Sequence, residues 1–183
     1  MELKRVVVTG LGAVTPLGLN VDETWEALLN GVSGAGPITH FDASQFKTQF
    51  ACEVKNFDPT LYLDKKEVRK FDRYAQFAVA AAKEAVGDSA LDLEKVDKNR
   101  VGVIFAAGIG GIRTFEEEVG GYFTNIERGP KFNPFFIPKM IADIAAGHIS
   151  MIYGFHGPNY ATVSACASSV SYTHLRAHET DQY

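Results

Sequence analysis

The side chain best suited to covalent chemistry is Cys166, in the stretch Asn159 to Ser169, Asn-Tyr-Ala-Thr-Val-Ser-Ala-Cys-Ala-Ser-Ser. Tyr160 to Ser164 has the pattern of a short buried strand, and the small residues after it predict a sharp turn into a helix. Cys166 would then lie at a helix N-terminus, where unpaired N–H groups and the helix dipole favour an anion. A nucleophilic thiolate is one interpretation, and a small buried hydrophobic residue is the other.

The remaining cysteine and histidines offer less chemistry. Cys52 lies in a predicted short strand, Phe50 to Val54, without a basic residue or helix terminus next to it, so we expect a structural role. His148 and His156 are expected to be ordinary hydrogen-bonded histidines, because no second ligand stands at metal-binding spacing. The sequence therefore predicts no metal site.

Composition excludes several classes of protein. The chain has 183 residues, 46% hydrophobic and 22% charged, which fits one globular domain or one half of a larger one. The formal net charge is −4 without a basic run, which argues against nucleic-acid binding. The two cysteines, the absence of a signal-peptide pattern and the lack of an apolar stretch of about 20 residues predict a cytoplasmic protein without a membrane span.

To position Cys166, the chain must supply a sheet and helices that cover it. Arg5 to Thr9 and Arg100 to Ala107 are apolar runs without alternation, which predicts strands buried on both faces. Periodicity predicts helices over 20–30, 65–86, 114–119 and 138–153, and residues 120–134 are expected to form an irregular loop. This alternation predicts an α/β layered fold with a largely parallel sheet, where ligands bind at the carboxyl ends of strands. Cys166 follows such an end, which favours the nucleophile.

The loop after the first predicted strand invites a dinucleotide-binding interpretation. It carries Gly10 and Gly12, but Thr15 takes the third glycine position of G-x-G-x-x-G and Pro16 follows at once. No helix pattern opens there, so both the fingerprint and its structural context argue against this interpretation.

The C-terminal segment differs from the rest of the chain. After Val170, Leu175 is the sole large aliphatic residue in a polar stretch, which is ill suited to a helix covering a buried sheet. The string Ser-Tyr-Thr-His-Leu-Arg-Ala-His-Glu-Thr also resembles translated adapter or vector read-through. We therefore expect a native part over 1–169 and a non-native tail over 170–183. His174 and His178 are four residues apart, and we do not expect them to bind metal.

Several stretches together resemble the N-terminal half of a β-ketoacyl-acyl carrier protein synthase, a type II condensing enzyme of fatty-acid synthesis. The matching stretches are 5–18, 108–111 (Gly-Ile-Gly-Gly), 133–138 (Asn-Pro-Phe-Phe-Ile-Pro), 147–148 and 162–169 (Thr-Val-Ser-Ala-Cys-Ala-Ser-Ser). The resemblance implies the thiolase-like layered α/β fold, in which two similar halves pack against a shared helix layer. This chain would supply the first half, with a mostly parallel mixed sheet flanked by helices.

The resemblance also implies a chemistry. Cys166 would hold an acyl chain as a thioester and offer its backbone N–H to the oxyanion, and malonyl-acyl carrier protein would add two carbons by decarboxylative condensation. The substrates would arrive on the phosphopantetheine arm of acyl carrier protein, without a further cofactor. Ile109 lies at the family's gate to the acyl pocket, and Phe136 and Ile137 match residues that reach the neighbouring subunit's pocket in a homodimer. Core packing is the alternative for these three residues.

The family draws two catalytic histidines, a lysine and a second oxyanion donor from its second half. His148, His156, His174 and His178 do not match those motifs, so we expect the chain to be inactive in condensation and to fold poorly alone. Related alternatives are a polyketide ketosynthase, a thiolase, or a chain-length factor, which would lack the cysteine.

Overall fold

The computed structural model describes residues 6–129 and 131–176. The helices are α1 (Val21–Leu29), α2 (Lys65–Val68), α3 (Arg73–Asp88), α4 (Ile112–Thr124), α5 (Phe136–Met140), α6 (Ile144–Tyr153) and α7 (Ser168–Arg176). The strands are β1 (Gly36–Pro37), β2 (Phe50–Ala51), β3 (Val103–Ala106) and β4 (Asn159–Thr162). Among these residues no helix combines the length and apolar character that crossing a bilayer requires.

Helix α3 forms the centre of the core. Its alanine-rich face, with Ala75 and Ala78 almost fully buried, packs against Ala145 and Ile149 of α6, and Phe71 closes the cluster. Small side chains let two helices approach closely, which explains why α3 and α6 pack along this face. Val103 and Phe105 of β3 pack against the same cluster and thereby attach the sheet to it.

The helix predicted over 65–86 is two helices, because Asp72 starts a new one. Asp72 is buried, and one carboxylate oxygen accepts the N–H of Tyr74 at 3.1 Å, which caps α3. Its other oxygen accepts the hydroxyl of Thr114 at 2.6 Å and the N–H of Thr114 at 3.2 Å. A single carboxylate therefore caps α3 and ties the first turn of α4 to it.

The sheet that precedes Cys166 consists of β3 and β4, which pair in parallel with Val103 opposite Asn159 and Ala106 opposite Thr162. The parallel pairing was predicted, but burial on both faces was wrong. The residues of β3 are half-buried and Tyr160 in β4 is 56% exposed, because within the described residues these two strands have no further neighbours. A separate antiparallel pair joins β1 to β2.

The strand predicted over Arg5 to Thr9 is absent from its described part, residues 6–9. Val7 and Val8 are exposed, since no strand among the described residues pairs with this segment. Gly10 and Gly12 instead lie against the last turns of α3, where an added Cβ would stand 2.2 Å from the carbonyl oxygen of Ala85 and 1.9 Å from that of Ala81, respectively. These glycines serve close packing, which removes the basis for a dinucleotide-binding loop.

Two further boundaries differ from the sequence pattern. Helix α4 continues through Gly120 to Thr124, so the first part of the predicted loop over 120–134 is helical. The helix predicted over 138–153 breaks after Met140, whose carbonyl accepts the N–H of Gly111 at 2.9 Å, and the next carbonyl, that of Ile141, accepts the hydroxyl of Tyr74. Partners distant in sequence thus take carbonyls that a continuous helix would use.

Helix α1 forms as predicted. The Asn20 side chain caps it by accepting the N–H of Glu23 at 2.8 Å, and Gly31 follows its end with a φ of +65°. The Glu23 carboxylate reaches back to the N–H of Leu19, one residue before the position expected for a capping box.

Candidate active site

Cys166 lies in a tight turn between β4 and α7. The strand ends at Thr162, residues 165–167 form one 3₁₀ turn, and α7 begins at Ser168. Ala165 has a φ of +48°, a left-handed conformation that is uncommon for a residue with a Cβ. This strained residue lets the chain reverse so that Cys166 is exposed two residues before the helix starts. The predicted turn and the helix-terminal position of Cys166 are present.

A buried hydroxyl holds the turn in place. Ser168 is 5% exposed; its oxygen accepts the N–H of Ser164 at 2.9 Å and its hydroxyl donates to the carbonyl of Ala107 at 3.2 Å. The hydroxyls of Ser164 and Ser171 are 2.8 Å apart, which adds a second link between the turn and α7. The sequence pattern assigns no role to Ser168, because its hydrogen bond to Ala107 joins residues that are distant in sequence.

The turn borders a cavity of about 430 Å³. Its lining comes from β3 with Gly108, two residues after the strand, and from the turn with the start of α7; the lining residues are Ile104, Phe105, Ala106, Gly108, Ala165, Cys166, Ser168 and Ser169. The lining is mostly apolar, so it suits a hydrocarbon chain beside the thiol. Within the described part of the chain, no acceptor takes the backbone N–H of Cys166, which leaves this donor free for a ligand oxygen.

The segment 107–111 connects the sheet to α4 and is fixed on both sides. The N–H of Ala107 donates to the carbonyl of Thr162 at 3.1 Å, and Gly111 is bonded to Met140 as described above. Gly110 has a φ of +94°, and a Cβ there would stand 2.6 Å from the carbonyl oxygen of Met140. Between these fixed points Ile109 is 66% exposed, directly after a residue that lines the Cys166 cavity.

Phe136 and Ile137 lie in the first turn of α5 and do not line the Cys166 cavity. Phe136 stacks on Phe132 with ring centroids 5.4 Å apart, and Phe132 stacks on Tyr122 at 5.2 Å. Ile137 is 55% exposed beside this stack. The structure therefore brings Cys166 and the residue before Ile109 together and places Phe136 and Ile137 on a separate aromatic surface.

Cys52 is exposed and borders a larger cavity, of about 770 Å³, which Arg73 and Arg113 also line. These two arginines belong to α3 and α4, which are distant in sequence, and the structural role expected for Cys52 stays a prediction. Among the described residues, no group of three or more His, Cys, Asp or Glu side chains is placed to hold a metal ion. The side chains of His174 and His178 lie outside the described part.

Neither His148 nor His156 lines the Cys166 cavity. His148 stacks on Phe71 with ring centroids 3.7 Å apart. Burial lowers the pKa of His148; the charge of Glu67 raises this pKa by a smaller amount, and the charge of Lys70 lowers it slightly further. This histidine belongs to the packing of α6 against the segment before α3.

Comparison with known proteins decides the family. Residues 3–179 match the family model described as the N-terminal domain of beta-ketoacyl synthase. The chain belongs to the beta-ketoacyl synthase family. Helix α7 reaches Arg176 and the family match reaches residue 179, while the non-native origin of residues 170–183 stays a prediction.

Curated relatives of this beta-ketoacyl synthase chain carry the name 3-oxoacyl-[acyl-carrier-protein] synthase 2. The chain is 47% identical over 170 residues to the protein of Coxiella burnetii, covering 93% of this chain and 41% of the relative. It is 43% identical to the Synechocystis protein and 44% identical to a Staphylococcus aureus protein, covering 92% of this chain and 40% of each relative. The chain thus spans about two fifths of these relatives.

Solved structures confirm the predicted fold class. The ishigamide ketosynthase/chain length factor superposes with a TM-score of 0.79 at 25% identity, over 97% of this chain and 45% of that chain. A beta-ketoacyl synthase from Burkholderia phymatum gives 0.74 at 24% identity, with the same two coverages. A type II PKS acyl-carrier protein in complex with its ketosynthase gives 0.74 at 22% identity, over 94% of this chain and 45% of that chain. The chain has the thiolase-like α/β fold of ketosynthases.

Proposed function

We propose that this chain is the cysteine-bearing part of a 3-oxoacyl-acyl carrier protein synthase that elongates acyl chains in fatty-acid biosynthesis. The observation that carries the proposal is the placement of Cys166: an exposed thiol in a strained turn, at the start of α7, beside an apolar cavity. The identity of 43–47% to proteins of that name supports it.

In the first step, the Cys166 thiolate attacks the carbonyl carbon of an acyl thioester on the phosphopantetheine arm of acyl carrier protein. A carbon–sulfur bond forms to Cys166, and the phosphopantetheine thiolate leaves. The positive end of α7 favours negative charge at this position, and the free N–H of Cys166 is suitably placed to donate to the developing oxyanion. The reaction needs no further cofactor.

In the second step, malonyl-acyl carrier protein loses CO₂, and the resulting carbanion attacks the Cys166 thioester. A carbon–carbon bond forms, the Cys166 thiolate leaves, and the chain is two carbons longer. No histidine lines the Cys166 cavity among the described residues, so general acid–base help for decarboxylation is not supplied there. We therefore expect the purified 183-residue chain to form no β-ketoacyl product.

The proposal extends to substrate and partner surfaces. Ile109, exposed on the fixed segment 107–111, would contact the acyl chain as it enters the cavity. Phe136 and Ile137 would serve the neighbouring subunit of a homodimer, which agrees with their place on a separate aromatic surface. Acyl carrier protein would deliver the substrates in the cytoplasm. One solved neighbour is described as a ketosynthase with its acyl-carrier protein.

A polyketide ketosynthase is the second candidate, since two solved neighbours carry polyketide-type or chain-length-factor descriptions. Those neighbours are 22% and 25% identical, well below the fatty-acid type relatives. Cys166 argues against a chain-length factor, because that role dispenses with the nucleophile.

The test is acyl transfer from octanoyl-acyl carrier protein to the purified chain, mapped by mass spectrometry. We expect the octanoyl mass on the peptide that contains Cys166, its loss in Cys166→Ala, and its retention in Cys52→Ala. Acylation of Cys52 instead, or of neither cysteine, would overturn the proposal.

A further inference from the structure

Ser168 combines burial with full use of its hydroxyl. It is 5% exposed, although it stands two residues after the exposed Cys166. A buried hydroxyl is costly unless it is hydrogen-bonded, and Ser168 both accepts and donates, with the N–H of Ser164 and the carbonyl of Ala107 as partners. The Ser168 hydroxyl therefore restrains the two backbone groups to which it is bonded.

The two bonded groups each lie next in sequence to residues that line the Cys166 cavity, Ala165 in one case and Ala106 and Gly108 in the other. Ser164 directly precedes Ala165, the residue with a φ of +48°, so its N–H anchors the strained side of the turn. Ala107 directly precedes Gly108, which lines the cavity, and Ile109. One hydroxyl therefore connects the turn that carries Cys166 to segment 107–111 and helps to fix their relative position.

We propose that Ser168 is the positioning residue of this site. Its hydroxyl couples the direction of the Cys166 thiol at the start of α7 to the position of the segment that carries Ile109. The inference rests on the proposed function, because it takes Cys166 as the acylated nucleophile. Without the hydroxyl, the Ser164 N–H and the Ala107 carbonyl lose their partner, and the left-handed conformation of Ala165 loses the bond that anchors the residue before it.

The experiment uses an isosteric pair in the 183-residue chain, Ser168→Thr, which keeps a hydroxyl, and Ser168→Val, which does not. Iodoacetamide alkylation is followed from pH 6 to 10 by peptide mass spectrometry, with Cys52 read in the same spectra as an internal control. Thr173→Ala is the matched control, because its hydroxyl lies on the same helix and bonds the carbonyl of Ser169 at 3.3 Å.

We expect Ser168→Val to slow alkylation and octanoylation of Cys166 by roughly two- to tenfold, the factor that corresponds to an ordinary hydrogen bond. In Ser168→Val the pH dependence of the Cys166 alkylation rate changes as well, whereas Ser168→Thr and Thr173→Ala keep the original dependence. The alkylation rate of Cys52 is unchanged in all variants. A general loss of structure is recognised because it also changes Cys52.

Equal Cys166 rates and pH profiles in Ser168→Thr and Ser168→Val overturn the positioning role. So does an equal loss in both variants, with Cys52 unaffected, since the hydroxyl then makes no difference. If the unmodified chain accepts no octanoyl group at Cys166, the proposed function itself fails, and the two failures are thereby distinguished.

Discussion

At the residue scale, the burial of His148 is expected to make the stability of the folded chain depend on pH. Its ring stacks on Phe71, and burial holds its pKa below the ordinary value of 6.5. On acidification the unfolded chain therefore binds a proton before the folded chain does, so this contribution to stability is present above about pH 6.5 and is lost as the pH falls through the lowered pKa.

The expected outcome is a thermal midpoint that falls from pH 7.5 to pH 5.5, measured by circular dichroism. His148→Phe keeps an aromatic ring on Phe71 but removes the titrating group, so its midpoint is expected to depend less on pH over that range. His156→Phe, at an exposed position, serves as the control. Parallel pH curves for the original chain and His148→Phe would contradict the assignment.

A second residue, Asp72, carries two helix starts on one carboxylate. Asp72→Ala removes the cap of α3 and both hydrogen bonds to Thr114, whose hydroxyl is left unpaired in the interior, at a cost of about 1–4 kcal/mol. Hydrogen exchange is expected to rise in the first turns of both α3 and α4. Asp58→Ala, which removes the cap of one exposed 3₁₀ turn, should leave both helices protected. Unchanged exchange in α4 would refute the bridging role.

At the element scale, the turn around Cys166 was predictable and the helix boundaries less so. Small residues after an apolar run are a local signal, and the parallel strand and turn at 159–167 follow from it. The breaks at Asp72 and after Met140 depend on Thr114, Tyr74 and Gly111, which are distant in sequence, so local periodicity could not reveal them. Ser168 was overlooked for the same reason, since Ala107 lies 61 residues away.

Replacing glycine by alanine is expected to lower stability at one position and to raise it at another. Gly12→Ala places a methyl group 1.9 Å from the carbonyl oxygen of Ala81, so the N-terminal segment must move off α3, at a cost of about 1–3 kcal/mol. Gly120→Ala in α4 meets no atom within 4 Å and should stabilise that helix by about 0.5–1 kcal/mol. Hydrogen exchange should therefore rise in the last turns of α3 for the first variant and fall in α4 for the second. A neutral Gly12→Ala would show that the contact is not maintained in solution.

At the scale of the whole molecule, a set of large apolar side chains lacks cover among the described residues. It includes Val8 in the N-terminal segment, Met151 and Ile152 on α6, and Tyr160 on β4, all at least half exposed. Strand β4 also presents an edge without a further partner in the described sheet. Exposed large apolar side chains and an open strand edge favour association with other surfaces. The apolar runs led to the prediction of burial on both faces, and the two-stranded described sheet lacks the neighbours that such burial requires.

We therefore expect the isolated chain to bind a hydrophobic dye such as ANS and to sediment as concentration-dependent oligomers at micromolar concentration. The double variant Met151→Lys, Tyr160→Lys should lower dye fluorescence and shift sedimentation toward the monomer, because each charge replaces an exposed apolar or aromatic side chain. The control pair Leu29→Lys with Leu61→Lys changes two residues on other elements that are at least as exposed, and it should have less effect. A monomer that binds no dye and unfolds in a sharp thermal transition would show that these apolar side chains do not drive association.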